Sequence, residues 1–224
     1  MTSATRGAAA VRIVGEPVPP LLPDRGPVYV LLVGEAPGPR GADKSGFPFF
    51  GDAAGRHLYQ ALSRLGAVSL PPAIETLPWD GARFRAAALR PVARGVALGN
   101  AFDRCPTDDG LSFRAPTRSE LEGPENVARL NAELMALQAR GLRGVVTLGR
   151  VATRTMDVVL AHAPLPTLVM RAVPHPSAQG LLSMAPDRGK GARMADLQEA
   201  WMVRCRDLIF EAGYPREHAG AGDE

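Results

Sequence analysis

Short apolar runs alternate with amphipathic segments along this chain, and this order predicts a sheet covered by helices. Residues 28–33 (VYVLLV) form a continuous apolar run rich in β-branched residues, which is typical of a parallel strand buried on both faces. In the next segment Leu58, Leu62 and Leu65 recur at helical spacing, and Asp52 stands where an N-cap is expected. The pattern predicts further strands at 96–100, 144–148 and 166–173, and helices at 52–65, 119–140, 150–161 and 192–212. We therefore expect an α/β fold with a central, mostly parallel four-stranded sheet.

Three segments depart from this alternation. Residues 1–27 carry four prolines between positions 17 and 23, which predicts an extended N-terminal arm rather than a packed element. Residues 67–94 are interrupted by prolines and indicate only a short helix around 83–89. Residues 215–224 are expected to be a flexible tail, which leaves 28–214 as a single domain.

Composition narrows the class of protein without identifying it. The chain has 224 residues, 46% hydrophobic and 22% charged, as expected for one soluble globular domain. No apolar run approaches the ~20 residues of a membrane span, and the first residues lack the apolar core of a secretory signal. We expect a cytoplasmic protein. The net charge of +3 permits nucleic-acid binding without requiring it, and the many arginines equally fit a genome-wide base composition.

Polar residues follow three of the predicted strands, where ligands of open α/β sheets bind. Glu35 supplies a carboxylate, Asn100 an amide with both a donor and an acceptor, and His175 an imidazole fixed between two prolines. Ser177 stands close by and is suited to bonding a phosphate. Each residue also has a plain structural interpretation, as a turn cap, a satisfied turn amide or a structural histidine.

The loop at residues 34–55 is long and glycine-rich, and it contains the aromatic group FPFF at 47–50. A flat aromatic ring in this loop is suited to stacking on a ring ligand, but it is equally suited to filling the core. The loop is not a phosphate-binding P-loop, because no Gly-Lys-Ser/Thr follows.

Five segments follow one another along the chain in this order: GEAPG, GFPFFGDAAG, the strand ending in Asn100, LGRVA and HPSA. Together they resemble the motifs of the uracil-DNA glycosylase superfamily over residues 28–182, most closely the iron-sulfur branch called family four. The resemblance implies a three-layer α/β/α fold. It also implies a monofunctional enzyme of base excision repair that flips uracil out of DNA and leaves an abasic site, with no metal or cofactor in the chemistry.

The resemblance also assigns roles to individual residues. Glu35 and His175 take the catalytic positions, with an anion facing the sugar and a donor facing the departing base. The uracil-binding positions are Gly34, Ala36, Phe49 and Asn100. The DNA-binding positions are Ser45, Ser177, Leu181, Leu182, Arg188 and Lys190, with Arg193 close by. Leu181, followed by Leu182, is the expected wedge that fills the gap left by the flipped base, although both leucines equally suit a core.

Two departures from family four concern the cluster and the length. Cys105 and Cys205 are the only cysteines, so one chain cannot supply the four that the cluster needs, and a cluster-free relative is expected. The segment 67–94 exceeds what the family places before the Asn100 strand, and the sequence gives it no role. Residues 178–193 contain no histidine, so covalent attachment to an abasic sugar is not expected.

Other functions stay open at this point. One alternative is a protein that binds damaged or abasic DNA with little turnover, against which Glu35 argues. Another is an enzyme acting on free nucleosides, which would show no salt-dependent DNA binding. Activity on hypoxanthine or xanthine is also open. The expected ligands are uracil-containing DNA, the abasic product and free uracil, bound by a monomer.

Overall fold

The computed structural model describes residues 15–186 and 190–218. Its central sheet has four strands in the order β4-β1-β5-β6, and every neighbouring pair is parallel. A separate antiparallel pair is formed by β2 and β3. The strands are β1 (Val28–Gly34), β2 (Val68–Ser69), β3 (Val92–Ala93), β4 (Gly95–Asn100), β5 (Gly144–Leu148) and β6 (Val169–Val173).

Helices cover both faces of the sheet, so the expected three-layer α/β/α fold with a parallel four-stranded sheet is confirmed. They are α1 (Ala42–Ser45), α2 (Gly55–Arg64), α3 (Gly81–Ala86), α4 (Arg118–Glu122), α5 (Pro124–Gln138), α6 (Arg150–His162), α7 (Ala178–Leu182) and α8 (Met194–Glu211). Val30 and Leu32 of β1 pack in a core with α2, α3 and α8, whereas Leu31 and Val33 pack in a core with α5 and α6. β1 is therefore buried on both faces, as its unbroken apolar run predicts.

Two expected helices differ from the structure. The helix expected over 119–140 is divided into α4 and α5, because Gly123 is extended (ψ 147°) and Pro124 opens a new helix. The helix expected from Asp52 begins only at Gly55, and its N-cap residue Ala54 makes no side-chain capping bond. Asp52 is therefore not a helix cap.

The segment 67–94 supports the aromatic part of the loop before α2. The Phe84 ring of α3 lies 4.5 Å from the ring of Phe50, and the Trp79 ring lies 5.7 Å from it, measured between centroids. The indole N–H of Trp79 also donates to the carbonyl of Asp52 at 2.7 Å. The extra length of this segment thus contributes a wall that holds the loop of residues 47–52 in place.

The described part of the N-terminal arm is extended, but it is packed, in contrast to expectation. Val18 and Leu21 are each 2% exposed. Leu21 exchanges backbone hydrogen bonds with Leu98, which covers the outer edge of β4. At the other end the His218 ring lies 5.6 Å from that of Tyr29, although residues 216–218 are exposed. The domain bounds 28–214 stay a prediction.

Within the described ranges, no helix combines the length and the apolar character needed to cross a membrane.

Candidate active site

The parallel strands end at one edge of the sheet, and the three polar residues expected there lie at that edge. Gly34 and Asn100 are register partners at the ends of β1 and β4, so Glu35 begins beside Asn100. His175 follows the end of β6. Glu35 and His175 line the same cavity of about 470 Å³, a size in the range of small-ligand sites. The sequence-predicted residues that line this cavity are Glu35, Ala36, Phe49, His175, Ser177 and Leu181.

Glu35 is half-buried at the rim of the sheet. Its backbone carbonyl accepts a hydrogen bond from the N–H of Phe102 at 3.0 Å, which ties the loop after β1 to the chain leaving β4. Desolvation by burial raises the pKa of its carboxyl above 4.5. The site therefore contains a carboxylate whose charge is poorly compensated by solvent and available to a developing cation.

Asn100 is 4% exposed, and neither its side-chain nitrogen nor its oxygen has a hydrogen-bond partner in the described part of the protein. The amide oxygen lies against Gly34 beside the ring of Phe49. A Cβ on Gly34 would stand 3.0 Å from this oxygen and 2.5 Å from the ring, so only glycine lets amide and ring meet here. An unpaired buried amide costs about 1–3 kcal/mol, which a polar ligand that reached Asn100 would offset. Asn100 and Gly34 are not among the residues that line the cavity, and the adjoining Phe49 ring is their link to it.

Phe49 has a φ of +62°, in the left-handed region that bulky residues seldom occupy. Its ring is 5% exposed and lines the cavity. The turn is closed by a hydrogen bond from the N–H of Asp52 to the carbonyl of Phe49 at 3.1 Å. Strained backbone of this kind is maintained where the surrounding contacts dictate it, and here it directs an aromatic face at the cavity.

His175 is held by its neighbours. The indole N–H of Trp201 donates to the carbonyl of Pro174 at 2.7 Å, and β5 is joined to β6 through the bond from the Gly149 N–H to Val173. Desolvation by burial lowers the pKa of the imidazole below 6.5, so His175 is neutral at pH 7. A neutral imidazole donates one hydrogen bond, which is suited to a carbonyl oxygen that gains charge.

Asp52 is a site residue that the sequence reasoning missed. Its carboxylate accepts N–H bonds from Ala42 at 3.2 Å and Gly38 at 3.4 Å, and it lines the cavity with Glu35. Burial raises its pKa to about 6. The sequence does place Asp52 in the same glycine-rich loop as Glu35, but its position before a helical pattern equally predicts a helix cap.

His57 and Phe113 also line the cavity, and the sequence predicts neither as a site residue. His57 lies on α2 and lines the cavity, with its pKa lowered by desolvation. Phe113 comes from the loop after β4. Neither carries a sequence signal, because the fold alone brings α2 and this loop to the cavity.

The structure does not support Ser45 as a DNA contact. Ser45 is 3% exposed, and its hydroxyl donates to the carbonyl of Phe50 at 2.7 Å, so it stabilises the loop and a phosphate cannot reach it. Ser177 does line the cavity, and its hydroxyl accepts a 3.3 Å bond from the N–H of Gly180, as the N-cap of α7.

The expected wedge is also corrected. Leu181 is 1% exposed and belongs to the core, because α7 packs that side of the helix inward, so it is not free to enter DNA. Leu182 is partly exposed, and Lys190 is exposed. Arg188 lies outside the described residues.

The residues present do not fit the four-cysteine cluster of family four. Both cysteines are free and buried, Cys105 after β4 and Cys205 in α8. Burial raises the pKa of the Cys105 thiol to about 12, which disfavours the thiolate that binds metal. Among the described residues, no three His, Cys, Asp or Glu side chains are grouped to hold a metal ion.

Comparison with known proteins adds family information to this geometry. The family model described as the uracil DNA glycosylase superfamily matches residues 23–201. A type-5 uracil-DNA glycosylase of Thermus thermophilus is 33% identical over 133 residues, which are 59% of this chain and 50% of that protein. A protein of the same name from Mycobacterium leprae is 38% identical over 72 residues, 32% of this chain and 31% of that protein.

The matched region thus spans half or less of the length of these curated relatives. Both carry a type-5 designation, whereas the motifs above were compared with family four. The superfamily is the level at which the motifs and the comparisons agree.

Proposed function

This chain belongs to the uracil-DNA glycosylase superfamily, and we propose that it is a monofunctional glycosylase that removes uracil from DNA. It flips the uracil nucleotide out of the base stack and hydrolyses the N-glycosidic bond, which leaves an abasic site for base excision repair. The observation that carries this proposal is the buried Asn100 amide, whose donor and acceptor both lack a partner among the described residues.

Uracil presents an N3–H donor next to an O4 acceptor. The Asn100 amide oxygen accepts from N3–H while its nitrogen donates to O4, so one residue pairs with both groups. Cytosine presents the opposite pattern and would leave the amide oriented for uracil unpaired, which costs more than a lost contact. The Phe49 ring beside the amide replaces part of the stacking that uracil loses on leaving the duplex.

Bond cleavage leaves positive charge on the sugar and negative charge on the base. The Glu35 carboxylate stabilises the developing sugar cation and positions the water that attacks C1′. The bonding electron pair passes to the base, where neutral His175 donates a hydrogen bond to O2. Asp52 lines the same cavity, and with a pKa of about 6 it is largely ionised at pH 7 and able to accept the proton of the attacking water.

Ser177 at the cavity and the exposed Lys190 are the proposed phosphate contacts. Abasic DNA and free uracil, as products, occupy the same site. A monomer is sufficient, because one face of the molecule carries both the cavity and its rim. We place this activity in the cytoplasm.

The test is cleavage of a labelled duplex with a single uracil, compared with duplexes carrying thymine or hypoxanthine at that position. Alkali-sensitive breaks are expected at uracil, and Glu35→Ala and His175→Ala should each slow excision on the order of 100 to 1,000-fold. Exposed residues outside the cavity wall provide matched controls, Glu75→Ala and His162→Ala, which should leave the rate unchanged.

The absence of breaks with the wild-type protein would contradict the proposed activity. If that protein still binds uracil or abasic duplexes in a gel shift, a damage-binding role replaces it. Equal loss of activity in the control variants would show that the site assignment is wrong.

A further inference from the structure

The loop at residues 105–117 presents two large apolar side chains to solvent beside the cavity. Leu111 is 70% exposed and Phe113 is 46% exposed. Phe113 also lines the cavity that contains Glu35 and His175. Large apolar side chains grouped at a binding site are a mark of an interaction surface, because their exposure to water is unfavourable.

The loop holds these side chains in a fixed position. The Asp109 carboxylate accepts N–H bonds from Leu111 at 2.8 Å and Ser112 at 2.7 Å. The base of the loop is closed by a bond from the Arg114 N–H to the carbonyl of Pro106 at 2.9 Å. A side chain on such a closed loop loses little conformational freedom on binding.

The carboxylates around this loop are held by hydrogen bonds and by one guanidinium. The Arg114 guanidinium makes a two-pronged contact with Glu120 at 2.7 and 2.8 Å and lies 3.3 Å from Asp108. The carboxylate of Asp109 is occupied by backbone N–H groups of its own loop. Arg114 offsets one of the three negative charges of Asp108, Asp109 and Glu120, so the apolar side chains, and not charge, are the feature of this loop that suits DNA.

In the described part of residues 178–193, the large apolar side chains Leu181, Leu182 and Met184 are all less exposed than Leu111 and Phe113. Leu181 is in the core and Leu182 is partly buried. Extrusion of a base nevertheless leaves a gap in the stack that an apolar or aromatic side chain fills in proteins that deform DNA.

We propose that Phe113 is the residue that enters the base stack when uracil is extruded, with Leu111 packing against the adjoining part of the strand. The proposal rests on the proposed glycosylase function and commits to duplex DNA as the occupant of this surface. Its basis is continuity with the cavity: Phe113 lines the cavity and is also 46% exposed, so one side chain adjoins both the pocket and the surrounding solvent.

The experiment compares Phe113→Ala, Leu111→Ala and Phe113→Trp with the wild type. Met135→Ala is the matched control. Met135 is 56% exposed on α5, in the layer on the other face of the sheet from α2, α3 and α8. One readout is the single-turnover rate of uracil excision from duplex and from single-stranded DNA. A second is the fluorescence of 2-aminopurine placed beside uncleavable 2′-fluoro-deoxyuridine in a duplex, which increases when the neighbouring base leaves the stack.

Phe113→Ala should slow excision from duplex about tenfold, as expected for loss of one stacking side chain, and should reduce the 2-aminopurine signal. Excision from single-stranded DNA should stay within about twofold, since no stack has to be opened there. Leu111→Ala should show a smaller duplex defect, Phe113→Trp should restore the duplex rate, and Met135→Ala should behave as wild type.

Equal defects on duplex and single-stranded DNA, together with weaker inhibition by free uracil, would overturn the proposal and show that Phe113 covers the base inside the cavity. Unchanged duplex rates would overturn it as well. If the wild-type protein excises nothing, the proposed function fails, but the 2-aminopurine signal still tests Phe113. Absence of that signal in the wild type overturns the role of Phe113, whereas the excision assay decides the proposed function separately.

Discussion

The side chain of Asn100 illustrates at the residue scale how a binding group lowers stability. Its amide is buried at the end of β4 without a partner among the described residues. Nearby, the Asn126 amide donates to the carbonyls of Ala101 and Leu121 at 2.8 and 2.7 Å. The two asparagines therefore differ in hydrogen bonding: the protein supplies partners for the Asn126 amide and none, among the described residues, for the Asn100 amide.

We predict opposite effects of the same substitution at these two positions. Asn100→Leu should raise the free energy of unfolding by about 1–2 kcal/mol, since it replaces an unpaired buried amide by an apolar group of similar shape. It should also reduce uracil excision on the order of 100-fold or more. Asn126→Leu should lower the free energy of unfolding by about 1–3 kcal/mol, since the Leu121 carbonyl loses this donor and the Arg129 guanidinium loses its acceptor on Asn126. Urea unfolding and single-turnover assays measure both effects, and destabilisation by Asn100→Leu would contradict the interpretation.

Asp52 predicts a pH dependence of stability with a defined sign. Its pKa in the folded protein is raised by burial from 3.8 to about 6, so the folded state favours the protonated form. Its contribution to stability is therefore complete below pH 4 and is lost as the pH rises through 6. The difference corresponds to about 3 kcal/mol.

The measurement compares wild type with Asp52→Asn in urea at pH 4 and at pH 7.5. The stability of the wild type relative to this variant should fall by about 2.4 kcal/mol between the two pH values, because the unfolded carboxyl is only partly protonated at pH 4. Glu75→Gln, at an exposed carboxyl, serves as the control and should show no such trend. A constant difference between wild type and Asp52→Asn would show that the Asp52 pKa is not raised.

At the scale of elements, the packing of α7 gives two adjacent leucines different degrees of burial, which the sequence alone does not predict. Leu181 is fully buried and Leu182 is only partly buried. Leu181→Ala should lower the free energy of unfolding by about 2–5 kcal/mol, the usual cost of a core leucine, whereas Leu182→Ala should cost much less. Urea unfolding of both variants tests this. Similar values for the two would mean that α7 does not pack as described.

The elements also show which parts of the fold follow from sequence. The strand β1 is a continuous apolar run and β5 is a short, mostly apolar segment, and composition and length identify both without knowledge of the partner strand. The division between α4 and α5 was legible in Gly123-Pro124, but the apolar pattern continues across it and concealed the break. An apolar pattern of this kind predicts which face of a helix is buried, but it does not predict whether the helix is continuous.

The candidate site was only partly predictable for a related reason. Glu35, Asn100 and His175 follow strands, and parallel topology alone places them at one edge. Asp52 and Ser45 were misassigned because contacts decide their roles: Asp52 receives backbone N–H groups from Gly38 and Ala42, and Ser45 bonds to Phe50. A side chain of the same type on the surface would give the same sequence signal.

For the whole molecule, the parallel sheet gathers the candidate chemistry at the carboxyl ends of its strands. The net charge of +3 is too small to attract DNA by itself, so affinity depends on where positive charge is exposed near those strand ends. The two lysines of the chain differ in this respect. Lys190 is exposed after α7, whereas the ammonium of Lys44 lies 3.1 Å from the carboxylate of buried Asp43.

This difference predicts which lysine contributes to the salt dependence of DNA binding. A free lysine that neutralises a phosphate releases a counterion, and its loss should make the slope of log K against log salt less steep by about 0.9. Lys190→Ala should show this change on a duplex with a tetrahydrofuran abasic analogue, titrated across NaCl concentrations. Lys44→Ala should leave the slope unchanged, because its charge is already compensated by Asp43. Identical slopes for wild type and Lys190→Ala would place the DNA backbone on another part of the surface, and the absence of any salt dependence would argue against DNA as the ligand.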